Sequence, residues 1–385
     1  MQEAYIIEAK RTAIGKSGKG DLAQVRPDDL GAYVIQDILK KIPSLKPEEI
    51  EDFVLGCSFP EAEQGMNLAK VMALRAGLPI DVPGVTINRF CSSGLQAISM
   101  AADRIRLGEA DVMLAGGAES MSLVPMGGAK PAPNPYLIAN APEVYLSMGI
   151  TAENVAKKYE VTREQQDAFA VTSHQKAYAA QSSGRFEEEI VPIPLFAWGK
   201  PGEKWFDKDE GIRPETTVES LAKLKPAFLN GGSVTAGNSS QTSDGAAITL
   251  LMSEQKVKAL HLKPVAVWRG FAVAGVEPEL MGIGPIKAIP KVLKQVGLTL
   301  DQIDLFELNE AFASQSLAII KTLNIDPTKV NVNGGAIAFG HPLGCTGAKL
   351  TATLLHEMKK RKLKYGIVTM CIGGGMGAAG VYELL

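Results

Sequence analysis

Little in this 385-residue chain marks it for metal, membrane or nucleic acid. Cysteine is scarce. Cys57, Cys91, Cys345 and Cys371 are the only four, with no Cys-x-x-Cys among them, which is neither a disulfide framework nor a metal-site spacing. The four histidines, His174, His261, His341 and His356, include no i,i+4 pair, and no metal is expected. A net charge of -2 gives no general affinity for nucleic acid. Tyr365 to Tyr382 is a run of eighteen uncharged residues, the lower limit for a membrane span, but it holds six glycines. So much glycine argues against a stable helix, so strand, tight turn, strand is expected there and no membrane insertion. Met1-Gln2-Glu3-Ala4-Tyr5-Ile6-Ile7 enters a strand-like pattern with no charged-then-apolar leader. A reduced, metal-free enzyme of the cytoplasm is the expectation.

What is present is patterned α/β sequence, 46% apolar and 21% charged, long enough for two or three domains. Its two ends resemble each other. Leu45 to Gly56 has a counterpart in Leu298 to Asn309. Val85-Thr86-Ile87-Asn88, followed by the Ser-Ser-Gly turn at Ser92, matches Val330-Asn331-Val332-Asn333 with the Cys-Thr-Gly turn at Cys345. Ala110 to Gly117 matches Tyr365 to Gly373. Each half repeats strand, helix, strand, which implies a duplicated domain. Short Val/Ile-rich strands alternating with amphipathic helices imply an α/β layer fold. After Cys91, Leu95, Ile98, Ala102 and Ile105 fall at helical spacing, with Asp103, Arg104 and Arg106 on the other face. Between the halves the texture changes. Prolines at 125, 131, 133, 135 and 142 give way to a helix pattern from Met148 to Lys157, and a Gly/Ser-rich tract, Gly231 to Ser240, closes the segment. So long an insert is expected to form a small subdomain, with a strand Ala246–Met252 rejoining the first half. The expected boundaries are 1–118 plus 242–264, 119–241 and 265–385.

Three glycine-bounded turns carry reactive side chains. Cys91 lies where a strand turns into a helix, whose N-terminus lowers a thiol pKa from its usual value of about 8.5. A lone buried cysteine is usually a small core residue, but flanking Ser and Gly rather than packed aliphatics favour a nucleophile. His341, in Gly340-His341-Pro342-Leu343-Gly344, is the candidate base, since a cysteine nucleophile requires a base of near-neutral pKa and histidine supplies one. Cys371 precedes glycines whose backbone can approach a ligand and donate to an oxyanion. Thiolate, base and second acid/base are what carbon–carbon chemistry next to a thioester requires. Gly375 to Gly380 also matches G-x-G-x-x-G, but that fingerprint needs a further helix, strand and acidic residue, and five residues follow Gly380. Asn309, in Asn309-Glu310-Ala311-Phe312, could position a water or donate to an oxyanion, although Asn is also an ordinary turn residue.

These motifs together resemble the thiolase family over essentially the whole chain: Asn88 to Gln96, Asn309 to Phe312, Gly340 to Gly344 and Cys371 to Gly377. The resemblance implies a duplicated, layered α-β-α-β-α fold with an inserted loop domain, and acyl-CoA:acetyl-CoA C-acyltransferase activity. It implies that Cys91 is acylated with His341 as its base, and that Cys371 protonates the departing acetyl-CoA enolate. One oxyanion site would use His341 and a water held by Asn309, the other the N–H groups of Cys91 and Gly373. Arg213 and Ser220 would lie near the CoA nucleotide, and Phe228, Ala236 and Ser240 along the pantetheine. Met148, Met281 and Phe312 would line the pocket by the thioester. Coenzyme A would be a co-substrate, with no resident cofactor. A homodimer or homotetramer is implied, with a β-oxidation hydratase/dehydrogenase as a possible partner.

Cys-Ser-Ser-Gly in place of Cys-Gly-Ser-Gly, and Ser147 where biosynthetic members usually carry histidine, lean towards a degradative 3-ketoacyl-CoA thiolase. The alternatives are a biosynthetic acetoacetyl-CoA thiolase and a non-catalytic CoA-binding or scaffold subunit. The latter would be expected to have lost the nucleophile or the base.

Overall fold

The computed structural model describes residues 2–197 and 200–385. Its first half runs β1 (Ala4–Thr12), α1 (Pro27–Lys41), β2 (Asp52–Gly56), α2 (Leu68–Ala76), β3 (Val85–Ile87), α3 (Ser93–Leu107) and β4 (Val112–Ser120). The segment that follows contributes α4 (Met148–Lys158), α5 (Arg163–Ser182), shorter helices at Pro135–Asn140 and Val218–Ala222, and a hairpin of Ile193–Ala197 with Lys200–Phe206. Strand β5 (Ser243–Ser253) returns to the first half. The second half runs β6 (Ala266–Gly275), α6 (Gly284–Val296), β7 (Leu305–Leu308), α7 (Ala313–Leu323), α8 (Thr346–Arg361), β8 (Tyr365–Ile372) and β9 (Met376–Leu384).

Pairing makes the duplication explicit. The strand order is β3-β2-β4-β5-β1 in the first half and β7-β8-β9-β6 in the second, and the two join through β1 and β6. That join is thin, with Tyr5 opposite Val267 and Ile6 opposite Ala266. The second half repeats the first strand for strand, except where Val330–Asn333 was expected to mirror β3. Only an isolated bridge from Val330 to Phe306 forms there. The reason is local. Asn331 adopts φ +45° and its side-chain amide takes both the N–H and the C=O of Leu308 at 2.8 Å, doing in side-chain form what a strand's backbone would do.

Side chains alternate between faces along each strand, so each sheet has two apolar faces to cover. Val112, Leu114, Ile248, Leu250 and Met252 pack with α1 and α2 residues such as Ile35 and Met72. Their neighbours Met113, Ala115, Ala247 and Leu251 face the other way, onto Leu95, Ile98, Leu350 and Leu354 of α3 and α8. The same central layer receives Val368, Met370 and Ile372, while Ile367, Ala379 and Val381 face Ile289 and Val292 of α6 and Ile319 of α7. Five layers result, helix–sheet–helix–sheet–helix. Leu95, Ile98, Ala102 and Ile105 are fully buried in the middle one, as their spacing predicts. The α3–α8 crossing is close because it is glycine on backbone: a Cβ at Gly347 would lie 2.4 Å from the Leu95 nitrogen. Both helices therefore reach the middle of the molecule with their N-termini near each other.

Candidate active site

Cys91 lies in the single turn Phe90–Ser92 that opens α3. Phe90 adopts φ +43°, a costly conformation for a bulky residue, and side chains pin it. Asn88 Oδ1 accepts from the Phe90 N–H at 2.8 Å and Ser93 Oγ donates to the Phe90 carbonyl at 2.6 Å. The turn presents Cys91 to a cavity of about 250 Å³. His341 and Cys371 open onto the same cavity, although they come from the other half of the chain. Met148, Met281 and Phe312 line it too, as do Phe228 and Ser240, and among the described residues no charged side chain does.

His341 is held from both ring nitrogens. Nδ1 lies 2.6 Å from Thr346 Oγ1 and Nε2 lies 3.3 Å from Asn309 Nδ2. Asn309 is fully buried behind the imidazole, and its Oδ1 has no hydrogen-bond partner. Such an orphaned acceptor beside a reactive ring marks a place for a donor from outside the protein. The loop carrying His341 needs Gly340 at φ +105°, where a Cβ would sit 2.0 Å from Ser243 Oγ. Buried Glu119 anchors its far end, accepting from the N–H groups of Gly344, Ser58 and Phe59 and from the Gln64 amide. The Gly/Ser-rich tract closes the remaining side: Ser240 N donates to Ala311 O at 2.9 Å, and His341 N donates to Gln241 O at 3.0 Å.

The electrostatics differ from what the strand-to-helix turn alone implies. Burial pushes the Cys91 thiol up to about 11, against the N–H groups of Gly373 and Cys91, which favour the thiolate. The expected lowering of the thiol pKa is therefore overturned: removal from water outweighs the helix end. Burial, followed by the nearby Lys349 ammonium, brings His341 down to about 3. Cys91 and His341 thus rest as thiol and neutral imidazole, not as an ion pair. Alkylation of Cys91 by iodoacetamide should therefore keep rising with pH through neutrality. A rate already level above mildly acidic pH would reveal a preformed thiolate–imidazolium pair instead. Burial, followed by the neighbouring Cys91, also raises the Cys371 thiol above the ordinary range.

Not every expected residue joins the cavity. Ser220 is exposed and caps the helix Val218–Ala222 together with Thr217. Ala236 is exposed, and Arg213 is half-buried with its backbone N–H donating to His174 Nδ1 at 3.2 Å. None of the three lines the cavity. Ser220 and Ala236 do share one surface, because Gly237 packs against Leu221 and Leu224. Phe228, 42% exposed, stands edge-to-face on Phe312 with centroids 6.1 Å apart. Three residues that the sequence reading left out hold the site together: Glu119, Thr346 and Gln315, whose Oε1 accepts from Cys371 Sγ at 3.1 Å. A glutamine among Ala313, Ser314 and Ser316 at a buried helix start was the one signal available. Glu310, next to Asn309, is structural here, bonded to Ser173 Oγ and Asn331 Nδ2. Among the described residues, no group of three or more His, Cys, Asp or Glu could hold a metal ion. Among those residues, no helix is long and apolar enough to cross a membrane.

A duplicated five-layer α/β protein brings two cysteines and a histidine together on one cavity, the nucleophile, base and acid that acyl transfer uses. Its sequence matches the thiolase N-terminal domain over residues 4–255 and the thiolase C-terminal domain over 262–384. The chain belongs to the thiolase family. It is 58% identical to the 3-ketoacyl-CoA thiolase of Bacillus subtilis (strain 168), with all of both chains covered. It is 48% identical to an acetyl-CoA acetyltransferase of Chromobacterium violaceum, with 98% of each covered. The crystal structure of the Bacillus anthracis acetyl-CoA acetyltransferase superposes with a TM-score of 0.92 at 44% identity, covering 100% of this chain and 99% of that one.

Proposed function

We propose that the chain cleaves 3-ketoacyl-CoA with CoA to give acetyl-CoA and a shortened acyl-CoA, as a degradative thiolase of fatty-acid β-oxidation. One observation carries this reading: Cys91, His341 and Cys371 open onto one uncharged cavity. Cys91 attacks the 3-keto carbon and its proton passes to neutral His341. The C2–C3 bond breaks, its electron pair goes to C2, and Cys371 protonates that carbon, releasing acetyl-CoA. The Cys371 thiolate then takes the proton of an incoming CoA thiol, which attacks the acyl-enzyme. Collapse expels Cys91 sulfur, and His341 returns its proton. Developing oxyanions would be met by the N–H groups of Cys91 and Gly373 on one side, and by His341 with a water on the orphaned Asn309 Oδ1 on the other.

The segment 119–241 would bind CoA. Phe228 and Ser240 on the cavity wall and the exposed Ala236 and Ser220 would carry the pantetheine and nucleotide outward, with Met148, Met281 and Phe312 around the thioester. Arg213, off the cavity, is free to meet phosphate at the far end. Arg213→Ala is expected to raise the KM for CoA several-fold with kcat nearly kept, and an unchanged KM would remove Arg213 from the site. A homodimer or homotetramer is proposed, because among the described residues the edge strand β3 pairs only with β2, and Met66, Val71, Leu74 and Ile80 are exposed. A cytoplasmic location fits the bacterial relative.

Acetoacetyl-CoA synthesis is the competing reading, supported by the acetyltransferase relatives. Ser147, a small residue on the cavity wall beside Met121 and Met126, favours room for a longer acyl chain. The test is kcat/KM for thiolysis from acetoacetyl-CoA to long-chain 3-ketoacyl-CoAs. Level or rising efficiency with length supports the degradative reading. Activity confined to acetoacetyl-CoA overturns it.

A further inference from the structure

Two thiols share one cavity, yet the groups that face them differ in kind. Cys91 meets backbone N–H donors, which stabilise a thiolate. Cys371 also has its own backbone N–H, but it meets an oxygen as well: its thiol donates to Gln315 Oε1 at 3.1 Å. Gln315 is fully buried in the first turn of α7, so both ends of its amide need partners. Its Nε2 donates to Ser316 Oγ at 2.7 Å, and that hydroxyl donates to the Phe312 carbonyl at 3.1 Å.

This chain of bonds runs in one direction. A carbonyl oxygen can only accept, so the single proton of Ser316 is committed to Phe312. The Ser316 oxygen is then left to accept, which turns the NH2 of Gln315 towards it and the amide oxygen towards Cys371. An acceptor held against a thiol favours the protonated form and opposes the thiolate. Among the described residues, the other titratable groups on the cavity wall are Cys91 and His341, and no carboxylate, lysine or arginine lines it.

We propose that Gln315, oriented by Ser316, is a positioning residue that adds to burial in holding Cys371 as a thiol, and so helps assign the two cysteines different parts: nucleophile for Cys91, acid for Cys371. This rests on the thiolase reading of the cavity given above. In the cleavage step the Cys371 proton goes to C2 as the C2–C3 electron pair arrives there, leaving a thiolate against the amide oxygen. That unfavourable contact drives recovery of a proton from the incoming CoA thiol.

The test compares wild type with Gln315→Leu, Ser316→Ala and Gln315→Glu. Three readouts are taken: labelling of Cys91 by acyl-CoA, the pH profile of acetoacetyl-CoA thiolysis, and mass-mapped alkylation of Cys371 by iodoacetamide. Gln315→Leu should leave Cys91 acylation within about threefold and lower thiolysis by about tenfold or more. Its alkaline limb should move to lower pH, and Cys371 should alkylate about tenfold faster, the effect of one pKa unit. Ser316→Ala should shift both in the same direction by less, and it decides the matter if Gln315→Leu does not fold. Gln315→Glu, which puts an acceptor of full negative charge against the thiol, should alkylate Cys371 no faster than wild type. Equal loss of acylation and thiolysis, with pH limb and Cys371 alkylation unmoved, would make Gln315 merely structural and overturn the proposal. The thiolase reading fails by a different sign, full thiolysis in Cys371→Ala or label on Cys91→Ala, and would take the Gln315 assignment with it.

Discussion

Replacing Cys91 by alanine is expected to lower thiolysis by at least about 10⁴-fold, the scale on which an enzyme loses turnover with its covalent nucleophile. The fold should survive. Cys91 touches Met121 and Leu343 in a small cluster at the cavity edge, not one of the large cores. Loss of one sulfur there costs little packing compared with a truncated core aliphatic. The discriminating result is therefore lost turnover with an unfolding midpoint close to wild type. An acyl group still transferred covalently and productively to the variant would show that the nucleophile lies elsewhere.

Cys371→Ala should divide the reaction in two. Removing an acid that works only on the α-carbon proton is expected to slow carbon–carbon cleavage by about 10²- to 10⁴-fold. Acylation of Cys91 by a simple acyl-CoA, which breaks no carbon–carbon bond, should fall far less. The structure supports the separation, since His341 is held by Thr346 and Asn309 and has no hydrogen bond to Cys371 that the substitution could disturb. Equal loss of both half-reactions would argue that Cys371 merely shapes the cavity.

The parts of this molecule legible from its sequence are those whose physics is local. Period-two strands, the 3.6-residue stripe of α3 and the repeated order of elements led directly to the duplicated layers. Cys91, His341 and Cys371 are legible because each lies in a glycine-bounded turn, where little packing explains a reactive side chain. What could not be read depends on distant partners. Glu119 grips Gly344 across 225 residues, and Gln315 meets Cys371 across 56. In sequence each is only a polar residue in an apolar neighbourhood. The Cys91 thiol illustrates the same limit: the helix end is visible in the pattern of residues, but the burial that overrides it is a property of the assembled cavity. Asn331 misled for the opposite reason. Val330–Asn333 looks like a strand, and only the three-dimensional contact with Leu308 reveals a side chain standing in for backbone. Arg213 and Ser220 were assigned to the CoA nucleotide and Ala236 to the pantetheine through resemblance, and none of the three lines the cavity.

The most direct measurement is to incubate the wild-type enzyme with acetoacetyl-CoA in the absence of free CoA, digest it, and locate the acyl group by mass spectrometry. The expected result is one acetyl group per chain on the peptide carrying Cys91, discharged when CoA is added. Acetyl on Cys371, or no covalent adduct while thiolysis proceeds at full rate, would contradict the division of labour between the two cysteines.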